Sequence, residues 1–170
     1  KLTPLIQINS TPIYSPQQIE VAKFELFFMM MEKKMNQRKL ATNLYEEIEH
    51  AKLDEVVGIR VAHLTGSDEF SLFGAEIAPG RKVGAHYHKS GIEIYHIVEG
   101  KGMMHTGLPD NNNIVNWHNA MRVKKGDCFT VNEGEVHQLA NNNDRRLIAI
   151  ICCPKSHLSS DRIIVKGYDD

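Results

Sequence analysis

His86 and His88 stand two residues apart, and Glu93 follows five residues later, in the run Gly80-Arg-Lys-Val-Gly-Ala-His86-Tyr-His88-Lys-Ser-Gly-Ile-Glu93-Ile-Tyr95-His-Ile-Val-Glu-Gly100. On extended backbone the two imidazoles project from the same face. Two neutral imidazoles and a carboxylate suit a divalent first-row metal such as Mn, Fe, Co, Ni or Zn, and leave coordination positions for further ligands. A fourth protein ligand is therefore to be sought downstream. His137 offers it, in the stretch Gly126-Asp-Cys-Phe-Thr-Val-Asn132-Glu-Gly134-Glu-Val-His137-Gln-Leu-Ala-Asn141. A His-x-His pair alone is more often two exposed strand histidines than a metal site. Glu93 and His137 added to it raise the ligand count to four, which is what a retained metal needs.

The elements that must position these residues are strands. From residue 56 the chain is a series of short β-rich segments: 57–64, 70–77, 92–99, 101–106, 120–124, 128–131, 136–140 and 146–152. Turn chemistry separates them at Pro79-Gly80, Gly100-Lys101-Gly102, Lys125-Gly126-Asp127 and Asn141 to Asp144. Many short strands at near-regular spacing indicate an antiparallel barrel or sandwich, the jelly-roll class among them. Gly80, Gly100, Gly126 and Gly134 read as turn residues that fix the register of the ligands. The segment 108–119, with Pro109, Asp110 and three consecutive Asn, reads as a long hairpin loop, in which Trp117 could line an entrance. Ile163 to Val165 would add a last edge strand.

Alternation also assigns the neighbours. Tyr95 shares the face of Glu93 and is a candidate to hydrogen-bond a ligand or carry a proton, although a buried tyrosine of the core is the plainer reading. Tyr87 and His96 alternate the other way. His105 falls inward or outward depending on whether Gly102 introduces a bulge, and it is a second candidate proton carrier. Arg81 and Lys82 could engage a phosphate or carboxylate, though a solvated turn is the commoner fate of such charges. His50, His63, His118 and His157 have no companion signal.

Together the two stretches resemble the cupin superfamily. Gly80, His86, His88, Glu93 and Gly100 satisfy its first motif. Gly126, Gly134, His137 and Asn141 fit its second, where Asn132 stands in the place of the usual Pro. The resemblance implies an all-β cupin double-stranded β-helix (jelly-roll) barrel over residues 56–170, with His86, His88, Glu93 and His137 holding the metal. His-Tyr-His followed by Glu-Ile-Tyr is similar to small cupins assigned as sugar-phosphate isomerases, in which Tyr95 or His105 would serve the proton transfer. Fe(II)-dependent dioxygenases and non-enzymatic binding or sensor cupins share the same four ligands, so the resemblance leaves three chemistries open.

Residues 1–55 lie outside that pattern and read as an accessory arm. Residues 1–14 suggest an extended arm or edge strand. Ser15, Pro16 and Gln18 form a helix start with a capping-box pattern, and the helix that follows, Ile19 to Met35, is apolar on nearly every side, although the alternation of Ala22, Phe24, Leu26, Phe28 and Met30 also permits a strand. Such a helix needs cover, either from its own barrel or from a second subunit in a homodimer. A second helical stretch is expected over 36–52, with Asn43 and Glu46 at cap-box spacing and Leu44 and Ile48 on one face, joined by Ala51.

Bulk composition narrows the partners. Twenty Lys and Arg against 21 Asp and Glu give a net charge of -1, which supplies no drive toward nucleic acid or an anionic membrane, and a small-molecule ligand is the expectation. No apolar run reaches the roughly 18 residues of a span. Cys128, Cys152 and Cys153 lack metal-finger spacing and read as reduced core thiols in a cytoplasmic protein.

Overall fold

Strict alternation within the ligand-bearing strand shows how the sheets are layered. In β5 (Glu93–Glu99), Glu93, Tyr95 and Ile97 are buried while Ile94 and His96 are exposed. The structure, a computed structural model, describes residues 15–36, 41–55 and 58–168. Two antiparallel sheets face each other across one apolar core.

The first sheet contains β1 (Leu53–Asp54), β2 (Ile59–Gly66), β3 (Ser71–Ile77), β5, β8 (Cys128–Val131) and β10 (Leu147–Cys153), in the order β1-β2-β3-β10-β5-β8. The second contains β4 (His86–Tyr87), β6 (Lys101–Pro109), β7 (Val115–Lys124), β9 (Val136–Ala140) and β11 (Ile163–Ile164), in the order β11-β4-β9-β6-β7. Phe73, Ile97, Leu147 and Ile151 from the first sheet meet Met104, Val123 and Leu139 from the second in the core. The expected strands all form, and Ile163 with Ile164 makes the expected edge strand against β4.

Two expectations are corrected. Residues 108–119 are not a long loop: β6 and β7 continue as a paired hairpin from Lys101↔Lys124 out to Pro109↔Val115. The Asp110 carboxylate accepts from the amides of Asn112 and Ile114, both at 2.8 Å, and closes the tip. The polar run misled because β7 is exposed along most of its length, so no apolar face marks it as a strand. Cys128, expected in the core, is exposed, whereas Cys153 is buried.

A short helix, α2 (Leu44–His50), packs on the outer face of the first sheet. The Asn43 side chain accepts from the amides of Tyr45 and Glu46 and starts the helix there, so it is shorter than the 36–52 expectation. Ile48 is fully buried against Ala62 and Ile148, with Leu44 and Ala51 beside it. Gly74 makes this close approach available, since a Cβ there would run into Leu44 and Ile48.

Residues 1–41 form a compact unit separate from residues 42–170. Its described element is α1 (Pro16–Asn36), begun by the expected capping box: the Gln18 side chain accepts from the Ser15 amide at 2.8 Å, and Ser15 Oγ accepts from the Gln18 amide at 3.3 Å. Phe24, Phe27, Phe28 and Met29 to Met31 on this helix are exposed. The extended arm expected at 1–14 lies outside the described residues. No described helix is long and apolar enough to cross a membrane.

The thiols give a simple check of the layering. Burial raises the pKa of Cys152 and, more strongly, that of Cys153, where the Glu93 carboxylate adds to the effect. Iodoacetamide applied to the native protein should label Cys128 first and leave Cys153 unmodified until denaturant is added. Mass spectrometry of the peptides reads the order, and early labelling of Cys153 would contradict the packing of β10.

Candidate metal centre

Register brings the four candidate ligands together. β4 and β9 pair so that His86 lies directly opposite His137. His88 follows β4, and Glu93 opens β5 on the facing sheet. The ligand atoms of His86, His88, Glu93 and His137 lie within 4.8 Å of one another, and all four residues are buried. Gly134 turns the chain with φ 73° just before β9 and donates its amide to the His88 carbonyl at 2.8 Å, so the two motifs are joined through backbone. Asn132 holds that turn by another route than a proline. Its amide and its side-chain nitrogen both donate to the Glu135 carboxylate, at 3.0 and 3.1 Å.

Each histidine is oriented by a backbone carbonyl. His86 Nδ1 donates to the Gly84 carbonyl at 2.7 Å, His137 Nδ1 to Glu135 at 3.2 Å, and His88 Nδ1 to Asp161. A carbonyl only accepts, so Nδ1 carries the hydrogen in all three rings and Nε2 is left with its lone pair turned inward. There Glu93 Oε2 meets His88 Nε2 at 3.0 Å and His137 Nε2 at 3.2 Å. Lone pairs facing a carboxylate at that range, away from water, require positive charge between them. A divalent cation would supply it, and the donor set fits one.

The electrostatics agree. Burial pushes the Glu93 carboxyl up, but contact with His137 and His88 outweighs it and holds the group well below the usual carboxylate range. Burial, with His137 nearby, holds His86 well below the ordinary imidazole value. The Glu93 carboxylate is thereby held ionised at the centre of the cluster.

The other sequence candidates separate cleanly. Tyr95 is buried beside Glu93 and stacks on Phe129 with ring centroids 5.2 Å apart. Burial, followed by the Glu93 charge, keeps its hydroxyl well above the ordinary phenol value and so protonated. His105 is not brought to the cluster. Pairing of β6 with β7 runs through Gly102 without a bulge, so Met104 takes the inner face and His105 the outer, where it stacks on Tyr168 at 4.1 Å. Trp117 contacts the same outer pair and does not line the cavity. Arg81 is exposed on its turn and Lys82 donates to the Tyr168 carbonyl at 3.1 Å.

Three contributors from beyond β10 carried no sequence signal. Asp161 orients His88 and also accepts the Lys89 and Ser90 amides on its carboxylate, at 2.7 and 3.0 Å. His157, in a single 3-10 turn (Lys155–Leu158), stacks on His88 with centroids 3.7 Å apart and 6° between planes. Arg162 lines the cavity beside the cluster and pairs with Asp54 at 3.1 Å. That cavity gives water centres about 30 Å³ of room, space for roughly two molecules. Ile59, Val61, Leu139 and Ile151 make part of its apolar wall.

Residues 74–153 match the family model described as the cupin domain. An oxalate-binding protein of Thermotoga maritima is 35% identical over 101 residues, which is 55% of this chain and 74% of that protein. This chain belongs to the cupin family. The fold agrees with solved cupin-type structures. An uncharacterized double-stranded β-helix protein from Klebsiella pneumoniae superposes with TM-score 0.58 at 16% identity, covering 76% of this chain and all of that one. A cupin-like protein from Thermotoga maritima gives TM-score 0.51 at 22% identity, over 65% and 79% of the respective chains.

Two substitutions weigh the parts of this cupin site. His137→Ala should lower metal affinity by well over tenfold, because three remaining ligands hold a labile ion poorly. Asp161→Ala, which touches no ligand atom, should cost about tenfold through the loosened His88 loop. Elemental analysis after dialysis against a graded chelator reads both, and full occupancy in His137→Ala would remove His137 from the site.

Proposed function

We propose that this cupin holds a divalent first-row metal (Mn, Fe, Co, Ni or Zn) through His86, His88, Glu93 and His137, and that the centre binds a small carboxylate. The observation that carries this reading is the narrow, apolar-walled cavity against the cluster, far below the roughly 300–1,000 Å³ of sites for larger metabolites. One carboxylate and three neutral imidazoles leave a divalent ion with net charge of about +1, which favours an anionic oxygen ligand. Bound there, such an ion would act as a Lewis acid toward that oxygen. The chain's own part is to fix three imidazoles, exclude water and keep the Tyr95 hydroxyl protonated beside Glu93. The name of the Thermotoga maritima relative supports a small dicarboxylate or a similar anion as the ligand.

Tyr95 favours a second, enzymatic reading, metal-dependent isomerisation, since its hydroxyl lies beside Glu93 where it could carry a proton. Against a sugar phosphate stands the lack of a phosphate grip: Arg81 lies off the cavity and Arg162 is already paired with Asp54. Protein loaded with each metal in turn should bind acetate and oxalate by titration calorimetry, without oxygen uptake in an electrode and without turnover of aldoses. Oxygen consumption by the iron-loaded sample would favour the dioxygenase reading instead, and no heat with either anion would reject the carboxylate reading.

We also propose that α1 pairs with a second copy of the chain, burying its Phe and Met side chains in a helix–helix contact. Removing residues 1–36 should lower the mass seen by light scattering from dimer to monomer. An unchanged mass would assign the helix another role.

A further inference from the structure

We propose that residues 155–165 form a strap over the metal centre, which a bound ion holds shut and which must lift before a ligand enters. Its closing rests on the metal-binding reading above, and its opening on the carboxylate reading. The cavity beside the cluster has room for roughly two water molecules, less than an acetate ion occupies. A carboxylate therefore reaches an ion there only when a wall moves. Most of that wall belongs to β2, β3, β4, β5, β9 and β10, whose ladders lock it into the two sheets. His157, Leu158 and Arg162 close the remainder. Their segment joins a sheet through a ladder of only two pairs, Ile163↔Tyr87 and Ile164↔His86.

The polar grip of the strap is concentrated on residues 88–90, the first of which is a candidate ligand. The His157 ring stacks on His88 with centroids 3.7 Å apart, and its Nε2 donates to the Ser90 carbonyl at 2.8 Å. Asp161 takes the His88 Nδ1 hydrogen on its backbone carbonyl, and the Lys89 and Ser90 amides on its carboxylate. His157 and Asp161 are thus positioning residues for His88. A closed strap aims His88 Nε2 at the cluster, and an ion that takes Nε2 holds the ring where the strap grips it. Each therefore stabilises the other by the same factor. Leu158 packs against the core and Arg162 pairs with Asp54 at 3.1 Å, so the closed form is the major one and opening is a brief excursion from it.

The test follows hydrogen exchange by mass spectrometry on the full chain, freed of metal by a chelator or saturated with Zn(II). Zinc should slow the Lys89 and Ser90 amides and residues 155–165 together, by about tenfold, and leave the β6–β7 hairpin unchanged. Asp161→Ala, saturated with zinc and checked for zinc content, should keep the strap at its metal-free rate. Asp161→Asn, which retains an acceptor oxygen, should recover part of the effect. Arg162→Met should quicken strap exchange with and without zinc and preserve the difference between them. Entry is read on Co(II)-loaded protein mixed rapidly with acetate. The rate of the spectral change should reach a ceiling as acetate rises, set by the lifting of the strap, and Asp161→Ala should raise that ceiling severalfold. Strap exchange indifferent to zinc, or slowed equally in the hairpin, overturns the coupling, and a rate that climbs with acetate without limit overturns the gate. A spectrum that acetate leaves unmoved counts against the carboxylate reading instead, and the zinc comparison still decides the strap.

Discussion

The structure depends on one arrangement of hydrogen bonds, in which three backbone carbonyls take the Nδ1 hydrogens of His86, His88 and His137 and leave three Nε2 lone pairs converging on the Glu93 carboxylate. Such convergence of electron-rich atoms is unfavourable in a dry interior unless a cation joins them. The rest of the barrel meets the geometric conditions for it. The β4–β9 register sets His86 opposite His137. The alternation of β5 turns Glu93 and Tyr95 inward together, and the turn at Gly134 ties the second motif to the carbonyl of a ligand in the first.

The walls then limit what kind of molecule could reach an ion held there. Apolar side chains from both sheets close around the cluster, and the polar exceptions are few and local: Tyr95 from β5, and His157 and Arg162 from the segment after β10. A site of this kind discriminates by size first and by a small number of polar contacts second. Arg162, which lines the cavity, already shares its charge with Asp54.

The convergence of His86, His88, Glu93 and His137 was legible in the sequence because strand periodicity and motif spacing both encode it. Glu93, Tyr95 and His96 fell on the faces that alternation gave them, and the turns were marked by glycine and asparagine. What was not legible lies where neither signal operates. His157 sits in a single 3-10 turn with no period to place it, and Asp161 acts on His88 across 73 positions, partly through a backbone carbonyl, which any residue type could offer. The outer placement of His105 turned on the absence of a bulge at Gly102, a matter of pairing geometry that composition does not record. The hairpin of β6 and β7 was missed for the opposite reason to a buried strand: exposed on most sides, it shows no apolar rhythm.

Asp161 has a further consequence for the order in which the protein is made. By residue 137 a growing chain already holds every ligand atom, yet the carbonyl that turns His88 toward the others, and the carboxylate that grips the Lys89 and Ser90 amides, arrive 24 positions later. Because a site gains affinity only as its surrounding groups settle, a nascent barrel would hold metal weakly and a finished one firmly. Firm binding of a metal there would then wait on the segment that follows β10.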